Sequence, residues 1–305
     1  MARRRRGLPV NGVLLLDKPK GASSNHALQR VRRLLQAQKA GHTGTLDPMA
    51  TGLLPVCLGE ATKFSAHLLE ADKVYRTRVQ LGAVTDTGDA EGEVIERCAV
   101  PSLTAADVER VLERFRGVIE QTPPMYSALK HQGRKLYELA REGKSVERAV
   151  RRVTVYDARL LAFEGDAFEL EVRVSKGTYV RTLAEDIGRA LGSGAHITAL
   201  RRLGTGPFDS EGMLPIEALE ALAGQDEREA ALLPVDVLVA HLPRLDVDER
   251  ARQRLVHGQA ASVDAGGEQA GKLARLYCGE TFIGLGVVTG PQEVAPKRLL
   301  NTAAE

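Results

Sequence analysis

Residues Gly41–Lys63 read GHTGTLDPMATGLLPVCLGEATK, and this stretch is the most informative part of the chain. Its glycines permit backbone angles that side chains forbid, and Pro48 biases Asp47 away from helical geometry. We therefore expect a stiff loop that holds one carboxylate in an irregular position, followed by a short apolar strand over Leu53–Leu58. Because Asp-Pro also favours a plain turn in which the aspartate binds its own backbone, the loop alone leaves both interpretations open.

On either side of this loop, alternating and apolar runs predict further strands. Val13–Leu16 is a short apolar run that ends at Lys18-Pro19, and the alternation in Val74–Leu81 has the period of two that is typical of a strand. Arg151–Phe163 and Ala167–Val174 flank a short Glu-Gly-Asp turn, which predicts a hairpin.

Helices are predicted where apolar residues recur every three or four positions after a capping residue. Ser23 or Ser24 can cap the first of them, and Thr104 can cap another. The predicted helical segments follow Ser24, cover Ala61–Leu69, follow Thr104, and cover Thr182–Leu191.

Composition and charge indicate an ordinary globular protein with a basic body. The chain has 305 residues and a net charge of +2, but residues 1–210 are net basic and residues 211–305 net acidic. A basic surface suits a polyanion such as RNA, although mixed surface charge is common. The three cysteines are widely spaced without a metal-ligand pattern, and no apolar run reaches membrane-spanning length, so we expect a cytoplasmic protein without metal. Arg3–Arg6 form either an RNA-binding arm or a plain tail.

The pattern of the chain changes near residue 210 and predicts two domains. We place a catalytic domain over residues 1–240 and a small β-rich domain over residues 241–305, where short apolar runs lie between glycines. Asp86–Gly92 reads DTGDAEG, which predicts a turn-rich loop but lacks the ligand spacing of a calcium site.

A basic insertion spans about residues 124–152. Lys130–Arg152 carries eight Lys or Arg residues, with Tyr126 just before it and Tyr137 inside it. Basic residues with aromatic neighbours are typical of a groove for an RNA backbone, but a solvated helix face has the same composition. The candidates for contact with RNA phosphates are Lys130, Arg134, Lys135 and Arg141.

Six segments together resemble one enzyme family, from about residue 10 to about residue 205. Gly41–Lys63 resembles the catalytic-aspartate motif of the TruB family of tRNA pseudouridine synthases. The other matching segments, in order, are VLLLDKPKGASS over Val13–Ser24, DKVYRTRVQLG around Tyr75, TPPMYSALK ending at Lys130, KGTYVRTLAEDIG over Lys176–Gly188, and AHITALRRL ending at Leu203.

The resemblance implies a fold, a reaction and a set of site residues. The fold would be an α/β (mixed α+β) pseudouridine synthase catalytic domain with a small β-rich, PUA-like C-terminal domain. The reaction would isomerise the T-loop uridine of tRNA (position 55), with Asp47 as a nucleophile that attacks C1′ or C6. Arg181 would hold Asp47, through two parallel hydrogen bonds. The residues implied to bind the flipped uridine are His42, Tyr75, Tyr179 and Leu200.

The resemblance also implies which cofactors and partners the protein needs, and two alternative functions stay open. The isomerisation requires no redox change, phosphate donor, cofactor or metal, and the partner would be the T stem-loop of tRNA. We expect no membrane association and no obligatory protein partner. The alternatives are a guide-RNA-dependent synthase that modifies ribosomal RNA, and a non-catalytic RNA-binding or tRNA-folding protein on the same scaffold.

Overall fold

A nine-stranded mixed sheet forms the centre of the molecule. The computed structural model describes residues 7–301, so the Arg3–Arg6 tail lies outside the described residues. In chain order the strands up to residue 215 are β1 (Gly12–Lys18), β2 (Ala40–His42), β3 (Thr51–Leu58), β4 (Lys73–Leu81), β5 (Ala83–Thr85), β6 (Val94–Arg97), β7 (Gly117–Gln121), β8 (Lys130–His131), β9 (Arg134–Lys135), β10 (Arg151–Phe163), β11 (Ala167–Val174), β12 (Ala195–Thr205) and β13 (Leu214–Pro215).

The order of these strands brings distant motifs together. The sheet runs β13-β1-β3-β12-β4-β11-β10-β7, with β2 paired to β3. β12 lies between β3 and β4, parallel to the first and antiparallel to the second. Register pairs Arg202 with Gly52 on one side and with Tyr75 on the other. The predicted strands and the β10–β11 hairpin are confirmed, and β3 includes Pro55 within the ladder.

Eight α-helices connect and cover the strands of the described part of the chain. They are α1 (Ser24–Leu34), α2 (Ser65–Leu69), α3 (Ala105–Phe115), α4 (Leu136–Arg141), α5 (Val180–Ala190), α6 (Ile216–Ala221), α7 (Gln225–Ala230) and α8 (Glu249–Val256). Two short 3₁₀ helices span Gly59–Lys63 and Val235–Val239. Between residues 7 and 301, no helix is long and apolar enough to cross a bilayer.

The caps of the helices agree closely with the sequence. The Ser23 hydroxyl accepts a hydrogen bond from His26 N and so caps α1, while Thr104 and Asp107 form a capping box on α3. The helix predicted over Ala61–Leu69 is divided instead into a 3₁₀ turn and α2, with Phe64 between them at φ −112° and ψ 0°.

The strands next to the Asp47 loop are buried on both faces. On one face, Leu14 and Leu16 of β1 pack in the main core with helices α1 and α5. On the other face, Val13 and Leu15 belong to a second cluster, which also contains Phe64. This alternation is the period of two expected of a strand, and here both sides of the period are apolar.

The C-terminal part is β-rich, as predicted. Its strands β14 (Arg244–Asp246), β15 (Ala261–Ser262), β16 (Leu273–Cys278), β17 (Thr281–Gly290) and β18 (Glu293–Leu299) form a sheet of order β14-β16-β17-β18-β15. It has its own apolar core, but Phe282 and Leu285 also join the cluster behind β1 and β3, where the rings of Phe64 and Phe282 lie 5.6 Å apart. The division at residue 240 and the PUA-like relationship stay predictions.

Candidate active site

A cavity of about 860 Å³ opens where the Asp47 loop, β4, β12 and the start of α5 meet. The structure brings all six residues of the predicted catalytic and uridine-binding set to its wall: His42, Asp47, Tyr75, Tyr179, Arg181 and Leu200. They come from four separate segments of the chain. A cavity of this size, with a few convergent polar groups, has the character of a ligand site.

The Asp47 loop is stiff because its backbone is held from both sides. The buried Ser24 hydroxyl accepts a hydrogen bond from Leu46 N at 2.8 Å and donates one to Leu46 O at 3.0 Å. Gly44 has φ of 108°, a left-handed conformation that favours glycine. The prediction of a stiff loop with one projecting carboxylate is therefore confirmed.

Lys18 holds the Asp47 loop through hydrogen bonds to backbone carbonyls. Its side chain is fully buried, and its Nζ donates hydrogen bonds to Ala22 O at 2.6 Å, Pro19 O at 2.9 Å and Pro48 O at 3.3 Å. Burial lowers the pKa of Lys18 to about 8, although the nearby Asp47 charge opposes this change. The lysine of the Lys-Pro run thus connects the end of β1 to the proline that follows Asp47.

Arg181 contacts Asp47 differently from the predicted pair of parallel hydrogen bonds. Its Nε lies 3.0 Å from Asp47 Oδ2, but Nη1 donates to Thr87 O at 2.6 Å and Nη2 donates to Tyr126 O at 2.7 Å. The expected two-bond fork is wrong, because both terminal nitrogens are occupied by backbone carbonyls. Arg181, with only 4% of its side chain exposed, therefore joins three segments: the Asp47 loop, the Asp86–Gly92 loop and the basic insertion.

Asp89 is a second carboxylate at this site, and sequence reasoning missed it. Its Oδ2 lies 3.7 Å from Arg181 Nη1, while its Oδ1 accepts hydrogen bonds from the Thr87 hydroxyl at 2.7 Å and from Glu91 N at 3.0 Å. Asp89 is 5% exposed. The only signal in the sequence was an acidic loop after the Tyr75 strand, and nothing there distinguished Asp89 from its acidic neighbours.

The surroundings of Asp47 make its charged form less favourable than in water. Burial raises the pKa of Asp47 above its ordinary value, the Asp89 charge raises it further, and Arg181 and Lys18 oppose the rise. The side chain keeps 36% of its surface open toward the cavity. The carboxylate is thus poorly solvated and still accessible to a ligand.

The remaining uridine-binding candidates line the cavity from different sides. Leu200, on β12, is 7% exposed, and Tyr75, on β4, is partly buried. Tyr179 is the N-cap residue of α5 and is also partly buried. Burial and the charge of Arg202 lower the pKa of His42, and its buried Nδ1 has no hydrogen-bond partner among the described residues.

Two buried cations at the cavity wall were also absent from the sequence predictions. Arg202 is 1% exposed and donates from Nε to Leu53 O at 2.6 Å, next to the Asp47 loop. Lys73 is 8% exposed and donates to Leu69 O at 2.9 Å and Ala71 O at 2.5 Å. Both lie among the residues that line the cavity, where the basic side chains outnumber the carboxylates of Asp47, Asp89 and Glu91.

The four basic candidates of the insertion fall into two pairs. Lys135 and Arg141 line the cavity and lie 5.3 Å and 5.5 Å from the centre of the Tyr137 ring, within the range of a cation–π contact. Lys130 and Arg134 are exposed on the β8–β9 hairpin and do not line the cavity, and Arg134 is paired with Glu142. Contact of all four with RNA phosphates stays a prediction.

The described residues contain no group of three or more His, Cys, Asp or Glu side chains arranged to bind a metal ion. Around Asp47 the cations are Lys18, Arg181 and Arg202 instead. The arrangement provides an accessible carboxylate, a buried guanidinium beside it, and aromatic and apolar walls. Such a site suits covalent catalysis on a planar group held in the cavity.

Comparison with protein-family models gives three consecutive matches. Residues 32–180 match the TruB family pseudouridylate synthase (N terminal domain). Residues 181–240 match the tRNA pseudouridylate synthase B C-terminal domain, and residues 243–300 match the pseudouridine synthase II TruB, C-terminal model. All six candidate catalytic and uridine-binding residues lie within these matches, whereas β1 and most of α1, with Lys18 and Ser24, precede them.

Curated relatives and solved structures agree with the family models. The chain is 68% identical to tRNA pseudouridine synthase B of Chromohalobacter salexigens over 304 residues, which is 100% of this chain and 99% of the relative. It is 53% identical to the protein of that name from Azoarcus sp. (strain BH72), over 96% of each chain. A solved Cbf5-Nop10-Gar1 complex contains a chain with a TM-score of 0.71 and 27% identity, with coverage of 97% of this chain and 90% of that one. The chain therefore belongs to the TruB family of pseudouridylate synthases.

Proposed function

We propose that this protein isomerises uridine to pseudouridine in the T loop of tRNA, at position 55, with Asp47 as the nucleophile. The observation that carries the proposal is the Asp47 carboxylate, which lines the cavity beside a buried guanidinium, 3.0 Å away. Family membership supports a pseudouridine synthase, and relatives named tRNA pseudouridine synthase B support tRNA as the substrate.

The chemistry needs few groups, and the cavity holds them. The N1–C1′ bond of uridine breaks, the freed uracil rotates, and C5 forms the new bond to C1′. The proton on C5 is released and N1 gains one, so the product is an isomer and no redox partner is needed. Asp47 would attack C1′ or C6 and leave again at the end of the cycle. Arg181 would keep its carboxylate ionised and correctly directed.

A uridine in the T loop reaches Asp47 only if it leaves the base stack, which costs a few kcal/mol. Tyr75 lies on the cavity wall where it would stack on the uracil face, and base–aromatic stacking contributes about 1–3 kcal/mol. Leu200 would form an apolar floor, and Tyr179 would contact the ribose or the base. His42 would fill the space that the base leaves.

Tritium release tests this function directly. A tRNA T-arm transcript labelled with tritium at uridine C5 is incubated with purified protein, without guide RNA, added metal or nucleotide. We expect stoichiometric release of tritium from position 55, and no release from a transcript with cytidine there. Release from another uridine would contradict the position, and no release would contradict the activity.

The same assay separates the two alternatives. A guide-RNA-dependent synthase would be inactive until a guide complex is added, and solved complexes of similar fold contain other proteins. A tRNA-folding protein would bind the T arm without releasing tritium. Because binding alone would not need a nucleophile, the accessible Asp47 carboxylate beside the Arg181 guanidinium favours catalysis over a binding-only role. We place this activity in the cytoplasm, without an obligatory protein partner.

The rate of isomerisation should fall as the pH falls through the raised pKa of Asp47. The reactive form is the carboxylate, so protonation removes the nucleophile, and burial moves this acid limb above the ordinary value of 3.8 for aspartate. Single-turnover rates on saturating T-arm RNA give the midpoint. In Arg181→Gln the residual activity should show a still higher midpoint, since the guanidinium lowers the pKa of Asp47. A midpoint at or below 3.8 in the intact protein would contradict the desolvation of Asp47.

The salt dependence of tRNA binding should depend more on Lys135 and Arg141 than on Lys130 and Arg134. Lys135 and Arg141, the inner pair, line the cavity. In the outer pair, Lys130 and Arg134, the charge of Arg134 is already neutralised by Glu142. Each lost phosphate contact lowers the slope of log K against log salt by roughly 0.7 to 0.9.

Two double variants, each with both cations replaced by glutamine, provide the comparison. We expect the inner variant, with Lys135 and Arg141 replaced, to lower the slope of log K against log salt by about 1.5. The outer variant, with Lys130 and Arg134 replaced, should lower it less. The outer variant is the matched control, because it removes the same formal charge from the same insertion. An unchanged slope in both variants would mean that the insertion is a solvated surface that does not contact RNA phosphates.

A further inference from the structure

Gln121 is a buried glutamine with a specific pair of contacts near the active site. It is the last residue of the edge strand β7 and is 2% exposed. Its Nε2 donates a hydrogen bond to Tyr179 O at 3.1 Å, and its Oε1 accepts one from Tyr179 N at 3.0 Å. The amide therefore binds both backbone groups of one residue, as a neighbouring strand would do in a sheet.

This pair of contacts is directional. Only one orientation of the amide lets it donate to a carbonyl and accept from an N–H at the same residue. A buried amide without partners would be costly, so the match of both groups to Tyr179 defines where the Tyr179 backbone can lie. The side chain of Gln121 can thus act as a template for that backbone.

The place of Gln121 in the chain connects the basic insertion to the catalytic residues. β7 ends at Gln121, where the insertion begins, and Gln121 pairs with Arg151, where β10 begins as the chain returns from the insertion. On the other side, Tyr179 is the N-cap of α5 and lacks a side-chain cap of its own. Arg181 lies two residues further on, in the first turn of the helix, beside Asp47.

We infer that Gln121 is a positioning residue for the isomerisation. It holds Tyr179 at the cavity wall and sets the first turn of α5, so that Arg181 points its Nε at Asp47. Gln121 pairs with Arg151 at the end of the insertion, and Arg181 donates a hydrogen bond to Tyr126 O near its start. Both ends of the insertion are thus connected to the segment that carries Tyr179 and Arg181. This inference rests on the proposed function, because it assigns Gln121 a part in that reaction.

Gln121→Met tests the contacts by removing both hydrogen bonds while nearly keeping the shape. We expect the single-turnover rate on saturating T-arm RNA to fall by about 10- to 100-fold, since a small misplacement of reacting groups costs up to about 10²-fold. The Kd for tRNA should change by less than about twofold, because affinity comes mainly from phosphate contacts. Gln80→Met is the matched control: Gln80 also donates to a backbone carbonyl, of Asp166 at 3.0 Å, but lies outside the cavity wall.

Gln121→Glu adds a readout that a purely structural role would not affect. An ionised glutamate would still accept from Tyr179 N, but its second oxygen would face Tyr179 O without a proton to donate. Protonation restores the donor. Burial raises the pKa of a glutamate at this position toward neutral pH, and the charge of the paired Arg151 opposes the rise. The rate of Gln121→Glu relative to the unmodified protein should therefore rise as the pH is lowered from about 8 to about 6. The same ratio for Gln121→Met should stay flat.

Hydrogen exchange at the Tyr179 amide separates this inference from the proposed function. In Gln121→Met that amide should exchange at least about 10-fold faster, while the core amides of β12 keep their protection. If the unmodified protein fails to release tritium, the proposed function fails, and the exchange result still decides the contact. Unchanged exchange, a normal rate in Gln121→Met, or a rate loss that only follows lost tRNA affinity or lost folding would overturn the inference.

Discussion

Replacing Asp47 with alanine or asparagine should abolish isomerisation and leave tRNA affinity nearly unchanged. The carboxylate is the nucleophile that the proposal requires, and asparagine has almost the same shape but cannot attack or carry the negative charge. We expect the single-turnover rate to fall by at least about 10⁴-fold, as for the loss of a covalent nucleophile in other enzymes. The Kd for tRNA should change by less than about threefold, because phosphate contacts dominate binding.

The structure also predicts that these variants remain folded. Without Asp47, the Arg181 guanidinium keeps Thr87 O, Tyr126 O and the Asp89 carboxylate as partners, so no buried cation is left alone. Tritium release measures the rate, and circular dichroism measures the fold. Substantial tritium release by a pure Asp47→Ala preparation would contradict the assignment of Asp47 as the nucleophile.

Arg181→Lys should be nearly as damaging as Arg181→Ala. The guanidinium distributes three contacts in three directions, to Asp47 Oδ2, Thr87 O and Tyr126 O. A lysine keeps the charge but carries one compact ammonium on a flexible stem, so it cannot hold all three segments at once. We expect either variant to lower the single-turnover rate by about 10²- to 10³-fold.

Arg201→Lys serves as a matched control for this prediction. Arg201 lies on the neighbouring strand β12 and binds Asp17 with two terminal nitrogens, at 2.8 Å and 3.0 Å, outside the cavity wall. Its substitution should change the rate by less than about threefold, since neither Arg201 nor its partner Asp17 lines the cavity. A nearly normal rate in Arg181→Lys would mean that Arg181 acts only as a point charge.

The local features of the fold could be predicted because short-range patterns determine them. The alternation in Val74–Leu81 and the hairpin around Gly165 require only neighbouring residues, and both are confirmed. The family and its mixed α/β fold with a β-rich C-terminal part are confirmed as well. Motifs, and not periodicity, single out Asp47 and Arg181 as candidate catalytic residues, and their roles stay predictions.

The contacts that hold the site could not be predicted because they depend on strand register and on loops far apart in sequence. Arg202 approaches the Asp47 loop only because β12 pairs in parallel with β3. The expected fork between Arg181 and Asp47 failed for the same reason, since nothing local shows that Thr87 and Tyr126 present carbonyls to it. Gln121 carries no signal in its own segment that points to Tyr179.

The apolar cluster behind β1 and β3 also has a consequence for synthesis of the chain on the ribosome. Val13 and Leu15 emerge early, but Phe282, Leu285 and Leu300, which belong to the same cluster, are among the last residues made. Until translation is almost complete, the nascent protein lacks this part of the cluster, and apolar surface left uncovered in this way attracts chaperones or aggregates. The apolar layer behind β1 and β3 is therefore complete only when the C-terminal residues have been released.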